Sequence, residues 1–266
     1  MPALSALALS PLDVVLLAVA ACLVGLSKTA LPGAGTLAVA VFAAVLPARE
    51  STGTLLVLLI VGDLFAVRMY HAHADFPTLR RMVPTVLVGV GVGAVFLALA
   101  GDTTVRRVIA VILLALVGVT LARRRAAARR SAPPAAPGGV PAPAPAEGSR
   151  RLGTGVYGTL AGFTTMVANA GGPVMSLYLL AARFPVQQFL GTAAWFFLAV
   201  NLAKTPFSVA LGLISLASLT LDLMLAPAVV VGALVGRRVA RRIDQAVFER
   251  LVLTLTVVSA GYLLVQ

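Results

Sequence analysis

Two lysines stand apart among the 21 basic residues of this 266-residue chain, because neither lies in an arginine-rich stretch. Lys28 sits in LSKTALPGAGT, Leu26 to Thr36, and Lys204 near the inner half of the apolar run Phe189 to Leu211. An ionisable group at membrane depth costs at least about 2.5 to 3.5 kcal/mol on insertion scales, so it is usually paired or functional. Two ammonium groups within apolar spans are therefore the leading ligands for an anion. The plainer alternative is snorkelling, in which a lysine near a helix end reaches the headgroups. It is stronger for Lys204, where Thr205 and Pro206 suggest a kink or helix end.

Lys28 also lies in one of two matched helix interruptions. The second, Phe163 to Val174, reads FTTMVANAGGPV, so each half of the chain carries one Gly/Pro-broken polar gap between apolar runs. In a bilayer, unwound backbone is tolerated only where protein covers it or where it lines a cavity. A pair of such breaks in corresponding positions points to a transporter's binding site. A helix starting after Gly35 or after Gly172 aims free N–H groups and its positive dipole end into the gap. Gly33, Gly35, Gly171 and Gly172 permit close backbone approach to a ligand, and Ser27, Thr29, Thr164, Thr165 and Asn169 add neutral donors. This donor set suits a trigonal or tetrahedral oxyanion. The competing reading is that small residues serve only close helix packing in lipid.

Asp63, in TLLVLLIVGDLFAV, is the acid most embedded in an apolar run. Two roles stand side by side: a proton carrier during transport, or the ion-pair partner of Lys28 or Lys204. Asp13 and Asp222 lie near span ends and are expected to be solvated. His71 and His73, followed by Asp75, supply three candidate metal ligands on one short loop; a solvated loop is the stronger reading, and no metal site is assigned. Trp195 is expected to pack or anchor its helix. No HExxH, P-loop or dinucleotide turn occurs, nor a recognisable nucleophile motif, so neither an enzyme nor a cofactor is expected. Cys22 is the single cysteine, which excludes a disulfide or CxxC pair within the chain.

The elements that must position these residues are membrane helices. The chain is 60% hydrophobic and 11% charged, with mean hydropathy +1.01, far from the composition of a soluble domain. Its net charge of +12 reflects arginines between apolar spans rather than a basic soluble face with stacking aromatics, which argues against nucleic acid. The N-terminus lacks the basic region of a cleaved signal peptide. Apolar runs occupy residues 12–26, 36–46, 52–67, 83–100 and 105–122, then 152–168, 174–182, 189–211, 219–235 and 247–265. Spanning takes about 20 apolar residues. The second and seventh runs are too short, and each reads as a broken pair or hairpin with its predecessor. A Pro/Ala/Arg-rich linker, 123–151, separates a first repeat, 1–122, from a second, 152–266.

The halves match internally. Pro47, Gly53 and Asp63 fall 138 residues before Pro185, Gly191 and Asn201, while Pro84, Gly89, Gly93 and Gly118 fall 143 before Pro227, Gly232, Gly236 and Gly261. Short arginine-rich loops stay in the cytoplasm. Placing the linker, the Arg68/Arg80/Arg81 loop and the Arg237–Arg242 loop inside requires an odd number of crossings per half. The expected fold is an all-α polytopic membrane protein of two inverted repeats, about five helical segments each, opening on a broken helix pair or hairpin. The linker is cytoplasmic and both termini lie outside. Ten spans, or six spans with two re-entrant hairpins, satisfy the same charge pattern.

In GLSKTALPGAG (25–35), GFTTMVANAGGPVMSLYLL (162–180) and GTAAWFFLAVNLAKTPF (191–207), the chain resembles the sulfite exporter TauE/SafE family of bacterial membrane transporters. The resemblance omits only the linker and the extreme N-terminus. It implies cofactor-free transport of sulfite, organosulfonates, related sulfur oxyanions or small carboxylates across the inner membrane. Carried over, it points to Lys28, Gly33, Gly35, Asn169, Gly171, Gly172, Asn201 and Lys204. Pro-Gly-Ala-Gly stands where many relatives carry a glycine triplet, a departure that bears on substrate. A secondary carrier is the leading expectation; an anion channel is its rival, and an intramembrane enzyme lacks a nucleophile–base pair. The partners implied are a small anion and lipid, while small-residue faces serve internal packing and homodimer contact alike.

Overall fold

Apolar chain in a bilayer becomes helix because only the helix satisfies each backbone group within its own segment. The computed structural model describes residues 9–31, 34–101, 147–182 and 184–244, with isolated positions within 104–122 and 247–254. The described residues contain no strand and form eight α-helices: α1 (Pro11–Thr29), α2 (Gly35–Val45), α3 (Ala48–Tyr70), α4 (Phe76–Leu99), α5 (Glu147–Ala168), α6 (Gly171–Ala181), α7 (Val186–Ala210) and α8 (Leu216–Ala240). Five segments, corresponding to α1, α3, α4, α7 and α8, are long and apolar enough to cross a membrane. The chain is a multi-pass membrane protein. Helix α5 begins at Glu147, inside the stretch read as linker. The apolar runs 105–122 and 247–265 lie mostly outside the described residues.

The two short helices have 11 residues each, about 16 Å of rise, half of what spanning needs. Helix α2 packs along α1, and α6 along α5. Each break therefore joins a helical pair, and neither α2 nor α6 is long enough to cross by itself.

Glycines set how the longer helices meet. A Cβ on Gly25 of α1 would overlap the Val229 carbonyl of α8, one on Gly232 would overlap that of Cys22, and Gly236 faces Leu26 and Thr29. From Cys22 against Gly232 to Thr29 against Gly236 the numbers rise on both sides, so α1 and α8 run parallel. Helices α4 and α5 use the corresponding contacts: Gly162 against Val86 and Val90, Gly89 against Thr159, and Gly93 against Phe163 and Met166. Central α3 and α7 run antiparallel, joined where Gly53 meets Leu213, Asp63 meets Asn201, and Gly191 meets the backbone of Tyr70 to Ala74.

Two apolar cores result. Leu17, Val24, Phe42, Leu58, Leu225 and Val229 unite α1, α2, α3 and α8; Met82, Val90, Met166, Leu179, Phe189 and Phe197 unite α4 to α7. Outward faces stay apolar, as at Val15 and Val19, Val88 and Val92, or Leu223 and Val231, which suits contact with lipid tails. Trp195 packs on Phe76, ring centroids 5.7 Å apart. His71 and His73 form an exposed single turn between α3 and α4.

Candidate functional site

Both helix breaks face one cleft of about 520 Å³, counting its open mouth. The first break contributes Ser27, Lys28, Gly35 and Thr36, the second Thr165, Asn169 and Gly172, and α7 adds Asn201. Leu59, Ala193, Ala194 and Phe197 form the apolar wall. The lining is thus mainly apolar with a few convergent polar groups, the usual make-up of a small-ligand site.

Lys28 projects from the last turn of α1 and its Nζ lies 2.8 Å from Asp63 Oδ1 on α3. The same ammonium sits 4.3 Å from the Phe197 ring centroid, a cation–π contact on its other side. Gly62 makes room for the Lys28 stem, because a Cβ there would crowd its Cγ. Asn201 donates through Nδ2 to the second Asp63 oxygen at 2.5 Å. Asp63 is completely buried and Asn201 nearly so, so both carboxylate oxygens meet a donor group in a setting where an unpaired charge is very costly.

Lys204 is differently placed. It is 1% exposed, which removes snorkelling from consideration. Helix α7 continues through Pro206 to Ala210, with Thr205 Oγ1 bonding the Asn201 carbonyl at 2.8 Å, so Lys204 is interior to a helix rather than at its end. Its Nζ donates to the Thr165 carbonyl at 2.8 Å and to Asn169 Oδ1. Asn169 in turn donates through Nδ2 to the Thr52 carbonyl at 3.0 Å. This asparagine has φ +51°, a left-handed conformation that asparagine tolerates better than most residues. Lys204 therefore rests on neutral acceptors of the second break, within electrostatic range of Lys28 and Asp63.

Helix starts complete the donor set. The N-termini of α1, α4 and α8 are capped by Ser10, Asp75 and Ser215. Those of α2, α3, α6 and α7 have no side-chain cap; of these, α2 begins at cleft-lining Gly35 and α6 at Gly171, next to cleft-lining Gly172. First-turn N–H groups and the positive dipole end of each short helix are thereby available to an anion.

Other residues singled out from sequence lie around the cleft. Thr29 turns away from it: its hydroxyl lies 3.0 Å from both the Gly25 and Ala233 carbonyls, and its own carbonyl accepts from the Tyr70 hydroxyl at 2.8 Å. Gly171 is pressed against the Thr165 side chain. Thr164 bonds its own helix at Leu160. Gly33 lies outside the described residues. Asp13 serves the capping box of α1 with Ser10. Asp222, expected to be solvated, is instead 2% exposed, because its position falls on the stripe of α8 that packs against α1 and α3.

Sequence reading missed Phe197 and the Thr52 carbonyl. Phe197, Asn201 and Lys204 are spaced i, i+4 and i+7, one face of a helix, and that spacing was the available signal. Nothing in the sequence marks a backbone acceptor such as Thr52.

The sequence model of a family described as sulfite exporter TauE/SafE matches residues 17–263, through both breaks and α7. No curated protein and no solved structure matches the chain. With nearly the whole length covered, the chain belongs to the sulfite exporter TauE/SafE family, a family of membrane transporters.

Proposed function

We propose that this protein is a secondary carrier that moves a small anion, sulfite, an organosulfonate or a related sulfur oxyanion, across the bacterial inner membrane. The observation that carries the reading is the cleft: Lys28 lines it together with Thr165, Asn169 and Asn201, which hold buried Lys204 and Asp63 just behind, and two helix starts without a side-chain cap open beside it. Two cations against one acid leave one positive charge formally unmatched, which suits a monoanion. The family description directs that anion toward sulfur compounds.

Lys28 is shared in this account between Asp63 and the anion. A proton taken up by Asp63 hands Lys28 to the substrate, which gives Asp63 its coupling role. Lys204, Thr165, Asn169 and Asn201 hold the other side, with Gly35 and Gly172 presenting backbone donors; Thr29 and Gly171 secure the breaks from behind. Alternating access follows from rocking one inverted repeat against the other. Supporting the repeat are the glycine contacts, which recur with halves exchanged: Gly25 on Val229 answers Gly162 on Val86, and Gly232 on Cys22 answers Gly89 on Thr159. The arginine-rich linker stays cytoplasmic and both termini lie outside.

The test is uptake of radiolabelled sulfite into proteoliposomes with and without an imposed pH gradient, competed by thiosulfate, sulfoacetate, sulfate and acetate. Saturable, gradient-responsive flux competed by sulfur oxyanions is expected. Non-saturating flux without counterflow identifies a channel instead, and competition by acetate alone moves the substrate to carboxylates.

A further inference from the structure

Among the described residues, two carboxyl groups are nearly or fully buried, and they are held in opposite ways. Asp63 meets Lys28 and Asn201. Asp222 on α8 is 2% exposed, and neither of its carboxylate oxygens has a hydrogen-bond partner among the described residues. Leu221, Leu225 and Val229 beside it belong to the core shared by α1, α2, α3 and α8. Val229, seven residues on, packs near Gly62 beside the Lys28 stem, so Asp222 lies about 10 Å along α8 from the cleft's ion pair.

Among the described residues no charge compensates it. The ionisable groups of α1 are Asp13, engaged with Ser10 at the helix start, Cys22, packed at Gly232, and Lys28, committed to Asp63. Those described on α3 are Glu50 and Arg68, both exposed, Asp63, and Tyr70, bonded to Thr29. On α8 itself Arg237 and Arg238 stand at the far end. Among the described residues burial alone acts on Asp222, with no neighbouring charge in reach. The fold does not demand an acid here either: at the 143-residue offset the first half has Leu79, which packs against the other core.

An ionised carboxylate in this packing is very costly, whereas a protonated one is tolerable. A metal cation would require several oxygen ligands, and Asp222 offers one carboxyl. We propose that Asp222 is a proton-binding site of the carrier, outside the anion cleft, holding its proton while α8 packs on α1 and α3 and exchanging it with water when that contact opens. The step is the simplest acid–base one, carboxylate plus proton giving carboxylic acid. This inference rests on the carrier reading for its role in transport but not for its chemistry.

Two experiments on the full-length protein test it. Dicyclohexylcarbodiimide enters apolar regions and adds to carboxyls that carry their proton; peptide mass mapping after treatment over about pH 5 to 9 should find the adduct on Asp222, falling as pH rises. Folded protein that leaves Asp222 unmodified at every pH overturns the proposal, whether or not sulfite is transported. In proteoliposomes, Asp222→Asn should keep sulfite counterflow within about twofold of wild type while pH-gradient-driven accumulation falls at least about threefold. Undiminished gradient-driven accumulation by Asp222→Asn, or by Asp222→Leu, contradicts it. A wild-type protein that moves no sulfite defeats the carrier reading, and the labelling result then judges the proton site alone.

Discussion

The two helix breaks share an architecture and differ in chemistry. In the first, the break itself supplies the cation, and Lys28 reaches out to an acid on central helix α3. In the second, the break supplies acceptors, and central helix α7 sends Lys204 into them. One lysine is neutralised by a full charge, the other by dipoles. The glycine contacts and the short helix after the break recur in both regions, while the polar groups within that frame differ. The result is one asymmetric cleft rather than two equivalent half-sites.

That difference predicts unequal consequences for removing each lysine. Lys28→Met strands Asp63 as a buried, uncompensated carboxylate and should destabilise the protein by about 3 to 5 kcal/mol, with transport lost. Thermal unfolding of detergent-purified protein measures this, and Lys28→Met combined with Asp63→Leu should recover most of the stability but not the transport. Lys204→Met removes a cation from neutral acceptors and should cost about 1 to 3 kcal/mol, again with transport lost. Equal stability losses for the two lysines would erase the contrast between the breaks.

Asn169 joins the second break to α3, so Asn169→Ala loses the Lys204 and Thr52 contacts and strains a left-handed residue, at about 1 to 3 kcal/mol. Asn169→Gly relieves the backbone and should lose less, and the gap between the two variants isolates the strain. Gly25→Ala and Gly162→Ala probe the shared frame. Each inserts a methyl against a carbonyl of a parallel neighbour, and each should destabilise by about 1 to 3 kcal/mol, within about 1 kcal/mol of the other. A large disparity would count against equivalence of the halves. His71→Ala, in the exposed turn between α3 and α4, should leave stability within about 0.5 kcal/mol of wild type and uptake unchanged.

Much of the frame was legible because its signals are local. Gly/Pro interruptions mark breaks wherever they occur in apolar chain, and the offsets of 138 and 143 align Gly53, Gly191, Gly89 and Gly232, which turn out to be helix contact points. Partner choice was less legible, since Asp63 had two lysines within reason and only folding brings Lys28 to it. Lys204 was blurred by Pro206, a helix breaker in water that α7 absorbs. Asp222 was misjudged from its distance to a span end. Its spacing with Ser218, Leu225, Val229, Gly232 and Gly236, all on the buried stripe of α8, is the helical periodicity that should have placed it inside.

Sulfite uptake by wild-type protein and the Lys28→Ala, Lys204→Ala double variant, reconstituted side by side at equal amounts of folded protein, tests the central claim most directly. The account predicts saturable uptake by the wild type and uptake at the protein-free baseline by the double variant. Full uptake without either lysine would contradict a cleft in which these two cations hold the anion.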